Sequence, residues 1–208
     1  MHASFRFALL AAAGTLALAS CKKDDDSVAP TPTSTAQSQT VSSLSAAGTT
    51  STTGQPLPAK HYTFYSLVDN KQVAYTDSNS TKWDVAFRST TILINGGNSG
   101  PGQGGAQVYT GLYTDLTAAP TTGYSVDSPT AKAIPTGSGN GWYNYSSTTN
   151  VVTPIAGKVL VVRTATGKYA KLEIQSYYKD APAAPTSANA SGYYTFRYVY
   201  QPSGTSFQ

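Results

Sequence analysis

The chain has 208 residues, of which 12% are charged and 39% are hydrophobic, and its formal net charge at pH 7 is +4. Its Lys and Arg residues are scattered without a basic stripe, which argues against a nucleic-acid partner. A single cysteine excludes an internal disulfide, and two histidines and one methionine leave few side chains for catalysis or metal binding.

The N-terminal segment has the features of a lipoprotein signal peptide. Arg6 supplies a positive charge, residues 7–19 are apolar or small, and Leu18-Ala19-Ser20 precede Cys21. The apolar stretch is too short for a permanent membrane-spanning helix, and small residues before a cysteine suit cleavage ahead of a lipid-modified Cys. Residues 1–20 are therefore predicted to be removed, and Cys21 to carry acyl chains that anchor the protein in a membrane.

A charged cluster and a polar segment follow Cys21. The cluster, Lys22-Lys23-Asp24-Asp25-Asp26, resembles the export signal that sends some Gram-negative lipoproteins to the outer face of the outer membrane, which implies a cell-surface location. Small and polar residues dominate positions 27–59, and such a segment cannot bury enough apolar surface to offset its chain entropy. Residues 21–59 are predicted to be the lipidated Cys and a disordered tether.

Residues 60–208 are predicted to form one all-β domain of antiparallel sheets with long loops. All 15 tyrosines and both tryptophans lie beyond residue 60. Strands at 62–68 and 71–75 flank a hairpin turn at Asp69-Asn70. In the next strand, within 82–95, the alternation places Trp83, Val85 and Phe87 on one face and Asp84 and Arg88 on the other.

Two long loops are predicted in the middle of the domain. The glycine-rich stretch 96–105 is expected to be a flexible or tightly turned surface loop, because neither a Gly-Lys-Ser/Thr sequence nor a helix follows it to form a phosphate site. A strand at 107–113 comes next. Residues 114–141 are rich in Pro, Gly, Ser and Thr and predict a long structured loop.

The C-terminal third contains the clearest strand patterns, at 158–164, 169–178 and 193–201. In the second of these, Ala170, Leu172 and Ile174 alternate with a polar set, which predicts one buried and one solvent-exposed face. The polar set is Lys171, Glu173 and Gln175. The last strand places four aromatic rings on one face, Tyr194, Phe196, Tyr198 and Tyr200.

Groups suited to acid–base catalysis are scarce, so an enzyme is the least expected class. After signal cleavage His61 is the only histidine, and it lies at the edge of the domain rather than between a nucleophile and a carboxylate. Asp84, Asp115 and Asp127 are the carboxylates that could face a pocket, and a glycosidase stays open as a weak alternative, because the sequence does not give the distances between them.

Aromatic residues near loops are the remaining candidates for ligand contact. The set is Tyr109, Tyr113, Trp142, Tyr143 and Tyr145. Trp142 and its neighbours directly follow a Gly/Ser/Asn stretch, and large rings beside such a loop are one way to build a flat apolar site. Buried packing in the sheet is the alternative for each ring.

Four segments resemble the HmuY family of all-β surface lipoproteins, which capture haem and pass it to an outer-membrane receptor. They are 82–88 (KWDVAFR), 157–164 (GKVLVVRT), 168–174 (KYAKLEI) and 194–200 (YTFRYVY). The resemblance extends over about residues 60–205. It implies the family fold, haem as the cargo, a haem receptor as the partner and an outer-membrane location.

The matching segments are framework strands and do not carry the iron ligands. Family members hold iron with His or Met side chains from loops, and the mature chain has no Met and only His61. Tyrosinate is a further axial donor for haem iron, which makes Tyr109, Tyr113, Tyr143 and Tyr145 candidates by position. Arg88 or Lys132 could pair with haem propionates.

Three functions remain open from the sequence. The first is haem or porphyrin binding for iron acquisition. The second is a binding protein that kept the fold but lost iron ligation, and that holds another porphyrin, a glycan or a peptide between aromatic rings. The third is a structural or adhesive surface protein.

Overall fold

The computed structural model describes residues 35–47 and 59–208, and these residues confirm the predicted all-β class. They fall within one compact unit, Thr33–Gln208. The described residues contain a single short 3₁₀ helix, Tyr75–Asp77, so no helix among them could cross a membrane. The strands are β1 (Gln37–Ser45), β2 (Thr63–Ser66), β3 (Lys71–Val73), β4 (Val85–Arg88), β5 (Thr91–Ile94), β6 (Gly105–Thr110), β7 (Tyr143–Ser146), β8 (Val151–Pro154), β9 (Lys158–Arg163), β10 (Tyr169–Tyr178) and β11 (Ser191–Gln201).

The strands form two larger sheets and one separate hairpin. The five-stranded sheet has the order β1-β11-β10-β9-β6, and the four-stranded sheet has the order β3-β2-β4-β5. Strands β7 and β8 form the hairpin. Every pair is antiparallel. The predicted first hairpin is confirmed as β2–β3, with a loop at 67–70 that is longer than the expected two residues.

The main core lies between the inner faces of the two larger sheets. The predicted row of alternating apolar residues in β10 and the predicted aromatic row in β11 both belong to this core. From the four-stranded sheet, Phe87 contacts the ring of Tyr194 at 4.6 Å and the ring of Phe196 at 5.5 Å, measured between centroids. Large aromatic surfaces of this kind dominate core energetics, and they hold the two sheets together.

The outer face of the five-stranded sheet is also covered. Val159, Val161 and Val199 pack there against residues from the long loop and the C-terminus, among them Tyr113 and Phe207. The long loop at 111–142 contains no strand, as predicted, and only isolated bridges such as Ala118 with Ser206. Because both faces of the sheet are buried, β9 is a nearly continuous apolar run rather than an alternating one.

The prediction of a solvent-exposed polar face on β10 is wrong at Lys171, which is 5% exposed. Its Nζ donates to the carbonyl oxygens of Tyr113 at 2.9 Å and Leu116 at 2.8 Å. It also lies 4.4 Å from the ring centroid of Tyr113, which is a cation–π distance. Burial lowers the pKa of Lys171, and the charge of Arg197 adds to this effect. Lys171 thus fixes the long loop onto the sheet.

The prediction for the face of Trp83 is also wrong. Trp83 packs with Phe64 and Leu93 on the outer face of the four-stranded sheet, whereas Val85 and Phe87 point into the main core. Strand β4 begins at Val85, so the preceding residues do not continue its pleat. The indole Nε1 of Trp83 donates to the carbonyl of Ser78 at 2.8 Å, which fulfils its hydrogen-bonding capacity.

Strand β1 lies inside the segment that was expected to be tether. It pairs with β11, from Gln37 opposite Tyr200 to Ser45 opposite Tyr193, with a register shift between Val41 and Leu44. Most of its side chains are exposed, so an edge strand of this kind needs few apolar residues and leaves little trace in composition. The signal peptide, Cys21 and the rest of the expected tether lie outside the described residues.

The glycine-rich loop is tightly packed around the buried side chain of Asn95. The amide Nδ2 of Asn95 donates to the carbonyl oxygens of Ser80 at 2.8 Å and Trp83 at 2.7 Å, and its Oδ1 accepts from the backbone N–H of Gly102 at 3.0 Å. A Cβ atom on Gly100 would come within 2.2 Å of this Oδ1. Glycine at this position therefore allows the loop to close over Asn95.

We expect Lys171→Ala to destabilise the fold by about 2–4 kcal/mol, because it leaves two buried carbonyl oxygens without a donor and removes a cation–π contact. Urea unfolding followed by tryptophan fluorescence measures the change. Lys179→Ala, at an exposed lysine of the same region, is the control and should shift stability by less than about 0.5 kcal/mol. Equal effects of the two changes would contradict the anchoring role of Lys171.

Candidate functional site

The structure distributes the aromatic candidates over three places. Tyr109, on β6, and Tyr113, in the long loop, lie on the outer face of the five-stranded sheet. Two cations contact the ring of Tyr113, with the Arg197 guanidinium carbon 4.1 Å and the Lys171 Nζ 4.4 Å from its centroid. Burial raises the pKa of Tyr113 to about 12, although Arg197 acts in the opposite direction. This tyrosine is therefore a poor source of tyrosinate for iron.

Trp142 and Tyr143 lie together in the main core. Their ring centroids are 4.9 Å apart, and Trp142 also packs 5.3 Å from Tyr194. The indole Nε1 of Trp142 donates to the carbonyl of Thr90 at 3.0 Å, and the Thr90 hydroxyl donates to the Tyr143 hydroxyl at 3.2 Å. With 2% and 8% of their surfaces exposed, these two rings fix the start of the β7–β8 hairpin and offer little surface to a ligand.

The two candidate partners for propionates lie apart from these rings. Arg88, at the end of β4, stacks on Tyr62 with its guanidinium carbon 4.1 Å from the ring centroid, and its Nη2 donates to the Tyr62 hydroxyl at 3.2 Å. Lys132 is half-buried in the long loop and makes no ion pair within the described residues. Neither side chain lines the cavity beside Tyr145.

Tyr145 is the candidate that remains exposed beside a cavity. It lies on β7, 47% of its surface is exposed, and its hydroxyl donates to Oδ1 of Asn150 across the hairpin at 2.8 Å. Its backbone N–H donates to the Ser138 hydroxyl at 2.8 Å, which ties the hairpin to the preceding Gly/Ser/Asn loop. The side chain is thus held at the surface by contacts on both sides.

The cavity beside Tyr145, which we call the hairpin cleft, has a volume of about 430 Å³. One wall is the β7–β8 hairpin and the other is the connection between β10 and β11. Apolar surface comes from Tyr145, Val151 and Pro185. Hydroxyl and amide groups supply the rest, from Asn144, Ser146, Thr149, Thr153, Thr186 and Ser187.

The chemistry of the hairpin cleft is that of a neutral site with one aromatic ring. None of its lining residues carries a charge. Among His, Met, Cys and Tyr, the side chains that bind haem iron axially, only Tyr145 lines it. Of the lining residues, Tyr145 would therefore be the one that could hold the iron of a haem, and no lining side chain could form an ion pair with its propionates.

The opposite wall of the hairpin cleft was missed in the sequence. The sequence predicts only strands on either side of the stretch 180–191, yet Pro185, Thr186 and Ser187 line the cleft opposite the hairpin. Two hydrogen bonds hold this connection, from the Thr186 N–H to Oδ1 of Asn189 at 2.8 Å and from the Asn189 N–H to the Thr186 carbonyl at 3.1 Å. A hairpin signal was present as Ser146-Ser147-Thr148-Thr149-Asn150 between two short apolar segments.

Substitutions should show that Trp142 stabilises the core, whereas Tyr145 in the hairpin cleft contributes little to stability. Trp142→Ala is expected to cost about 3–5 kcal/mol, because it empties a large buried volume and removes the bond to Thr90. Tyr145→Ala should cost less than about 1 kcal/mol, because its ring is half exposed. Chemical denaturation measures both. A large loss at Tyr145 would mean that this ring serves the fold rather than a ligand.

Comparison with known proteins gives no curated match but several solved structures. A protein described as HmuY-like and haem-binding, from Bacteroides vulgatus, is 19% identical with a TM-score of 0.49, over 83% of this chain and 96% of that chain. A lipoprotein of Bacteroides fragilis is 16% identical with a TM-score of 0.48, over 81% and 92%. An apo HmuY analogue of Tannerella forsythia is 15% identical with a TM-score of 0.41, over 81% and 96%.

At these identities and TM-scores the family assignment depends on the sequence match alone. The family model described as "HmuY protein" matches residues 59–198. This range begins just before β2, ends within β11 and includes the β7–β8 hairpin, the long loop and both larger sheets except β1. The match confirms the resemblance seen in the framework strands, and the chain belongs to the HmuY family.

Proposed function

We propose that this protein is a lipid-anchored surface protein of the outer membrane that binds haem, or a related porphyrin, and passes it to a receptor. The observation that carries this proposal is the HmuY family match over residues 59–198. The predicted lipid site at Cys21 and the charged cluster after it support the location. The hairpin cleft supports the binding role, because it lies between the β7–β8 hairpin and the β10–β11 connection and is lined by an exposed tyrosine.

Binding in the hairpin cleft would depend on two features. The apolar surfaces of Tyr145, Val151 and Pro185 would contact the porphyrin face, from which water is displaced. The phenolate oxygen of Tyr145 would hold the iron, the phenol proton would pass to solvent, and the hydrogen bond that this proton makes to Asn150 would be lost. Cargo held by one protein ligand at an open edge is suited to transfer, since few bonds must break for release.

The uncharged lining favours a second candidate function. Six hydroxyl- or amide-bearing residues and one aromatic ring form a combination that also suits a glycan or an iron-free porphyrin. In this case the protein would have kept the family fold and lost iron ligation. The two candidates differ in whether iron changes the affinity.

Titration with hemin tests the first candidate. Cys21→Ser in the full chain removes the lipid, so absorbance can be followed without detergent. We expect a shifted Soret band and quenching of tryptophan fluorescence, and Tyr145→Phe should weaken binding at least tenfold, about 1.4 kcal/mol. Tyr75→Phe is the control, because Tyr75 is 55% exposed and does not line the hairpin cleft. If Tyr145→Phe leaves the hemin affinity unchanged, Tyr145 is not the iron ligand.

Iron-free protoporphyrin separates the two candidates in the same assay. A haem carrier that uses tyrosinate should bind hemin more tightly than protoporphyrin, and Tyr145→Phe should erase the difference. Equal affinities of the unaltered protein for hemin and protoporphyrin would favour the second candidate. An absence of both hemin and protoporphyrin binding would contradict the haem proposal and leave a glycan as the ligand to test.

Cell fractionation tests the proposed lipid anchor at Cys21. The unaltered chain should partition into the detergent phase and be accessible to protease added to intact cells, because its acyl chains hold it at the outer surface. Cys21→Ser should move it to the aqueous phase, and Ser27→Ala should not. A membrane-bound Cys21→Ser protein would overturn lipidation at this residue.

A further inference from the structure

A second cleft, beside the loop of the β2–β3 hairpin, is lined by a buried carboxylate that forms no ion pair within the described residues. Asp84 is 5% exposed, and its two oxygens accept hydrogen bonds from the N–H groups of Leu67 at 2.8 Å and Ala165 at 3.0 Å. No Lys, Arg or His among the described residues forms an ion pair with it. Buried charges are normally paired, and a carboxylate can accept about four hydrogen bonds, so Asp84 has unused capacity.

Asp84 lies in the wall of a cavity of about 410 Å³, which we call the acidic cleft. The β2–β3 hairpin, the segment before β4 and the turn after β9 enclose it. Burial raises the pKa of Asp84, and the nearby charge of Asp69 adds to this effect, whereas the backbone N–H groups of Leu67, Ala165 and Val68 oppose it. A cation bound in the cleft would therefore offset the free-energy cost of burying the charged Asp84 carboxylate.

Tyr200 is a second polar residue of the acidic cleft. Tyr200, on β11, is 5% exposed, lines the cleft and makes no side-chain hydrogen bond within the described residues. Burial raises its pKa, and the charges of Asp84 and Asp69 raise it further. Tyr200 and Asp84 line the same cavity, so one ligand could contact both side chains.

The lysines of the acidic cleft already have partners at its rim. Lys71 lies 3.6 Å from a carboxylate oxygen of Asp69, and Lys82 lies 3.0 Å from one of Asp77. These four charges cancel in pairs, which leaves Asp84 as the unmatched charge of the lining. The carboxylate of Asp84 would repel an anionic ligand, whereas a cationic ligand would neutralise its charge.

We propose that the acidic cleft binds a small organic cation, a primary ammonium group on a short apolar stem. The ammonium would donate to Asp84 and to the Tyr200 hydroxyl, and the stem would contact Val73 and the Tyr200 ring. This site shares no lining residue with the hairpin cleft and does not depend on haem binding.

Calorimetric titration with butylammonium tests the proposal on the full chain carrying Cys21→Ser. Butanol and butyrate have similar stems with a neutral and an anionic head, so they separate charge from shape. We expect millimolar binding of butylammonium, binding of butanol that is at least tenfold weaker, and no heat from butyrate. Equal binding of butanol, or no binding of butylammonium, would overturn the proposal.

Variants locate the binding site. Tyr200→Phe keeps the ring in the core and should weaken butylammonium binding about fivefold, the value of one hydrogen bond. Because Asp84→Asn also disturbs the bonds to Leu67 and Ala165, Thr166→Arg provides a test at an exposed position of the lining. It places a fixed cation in the cleft and should abolish binding of butylammonium.

Ser187→Arg is the matched control, because it places the same cation at an exposed position in the hairpin cleft. It should leave butylammonium binding unchanged, and Thr166→Arg should leave hemin binding unchanged. Failure of hemin binding alone would count against the proposed function and not against this site. Loss of butylammonium binding in Ser187→Arg, or its retention in Thr166→Arg, would contradict the placement.

Discussion

The contact between the aromatic faces of the two larger sheets is the constraint on which the rest of the domain depends. The rings of β11 interlock with Phe87, and two of their hydroxyls reach the other sheet. Tyr194 donates to the carbonyl of Ser89 at 2.7 Å, and Tyr198 donates to the carbonyl of Leu67 at 2.9 Å. Each tyrosine therefore supplies apolar area and a directional bond at once, and these bonds set the position of the four-stranded sheet.

This use of tyrosine limits what the domain can offer to a ligand. Burial raises the pKa of Tyr177 to about 12 and the pKa of Tyr194 well above its usual value. Residues of this kind remain protonated and hold the fold together. A ring that binds cargo must lie outside the core, and the β7–β8 hairpin places Tyr145 there by using Trp142 and Tyr143 as its buried base.

Buried carboxylates perform a second structural task by holding loops through backbone N–H groups. Asp127 accepts from Ala133 at 2.8 Å and from Ile94 at 3.1 Å, which fixes the long loop beside β5. Asp84 joins the loop at 67–70 to the turn after β9 in a similar way. Asp115, the third carboxylate considered as a pocket group, is exposed. These roles place Asp84 and Asp127 in structural hydrogen bonds rather than in a pair suited to glycoside hydrolysis.

Periodicity predicted most of the sheet but little of the candidate site. The strands at β9, β10 and β11 follow directly from their apolar patterns, because a buried face requires such residues. Lys171 was misplaced, since a lysine bonded to two loop carbonyls looks the same in sequence as an exposed one. The hairpin cleft depends on which loop faces which hairpin, and a local pattern does not contain that information.

Strand β1 lies before the family-matched range, yet it covers the outer edge of the aromatic strand β11. A chain trimmed to the matched range would start after β1 and leave a row of unpaired peptide groups along β11. Such an open edge is a template for self-association, whereas the Gln/Ser/Thr-rich β1 with its irregular register is a poor one. The shortest fragment of this protein that keeps the edge of β11 covered therefore begins near residue 35, upstream of the family-matched range.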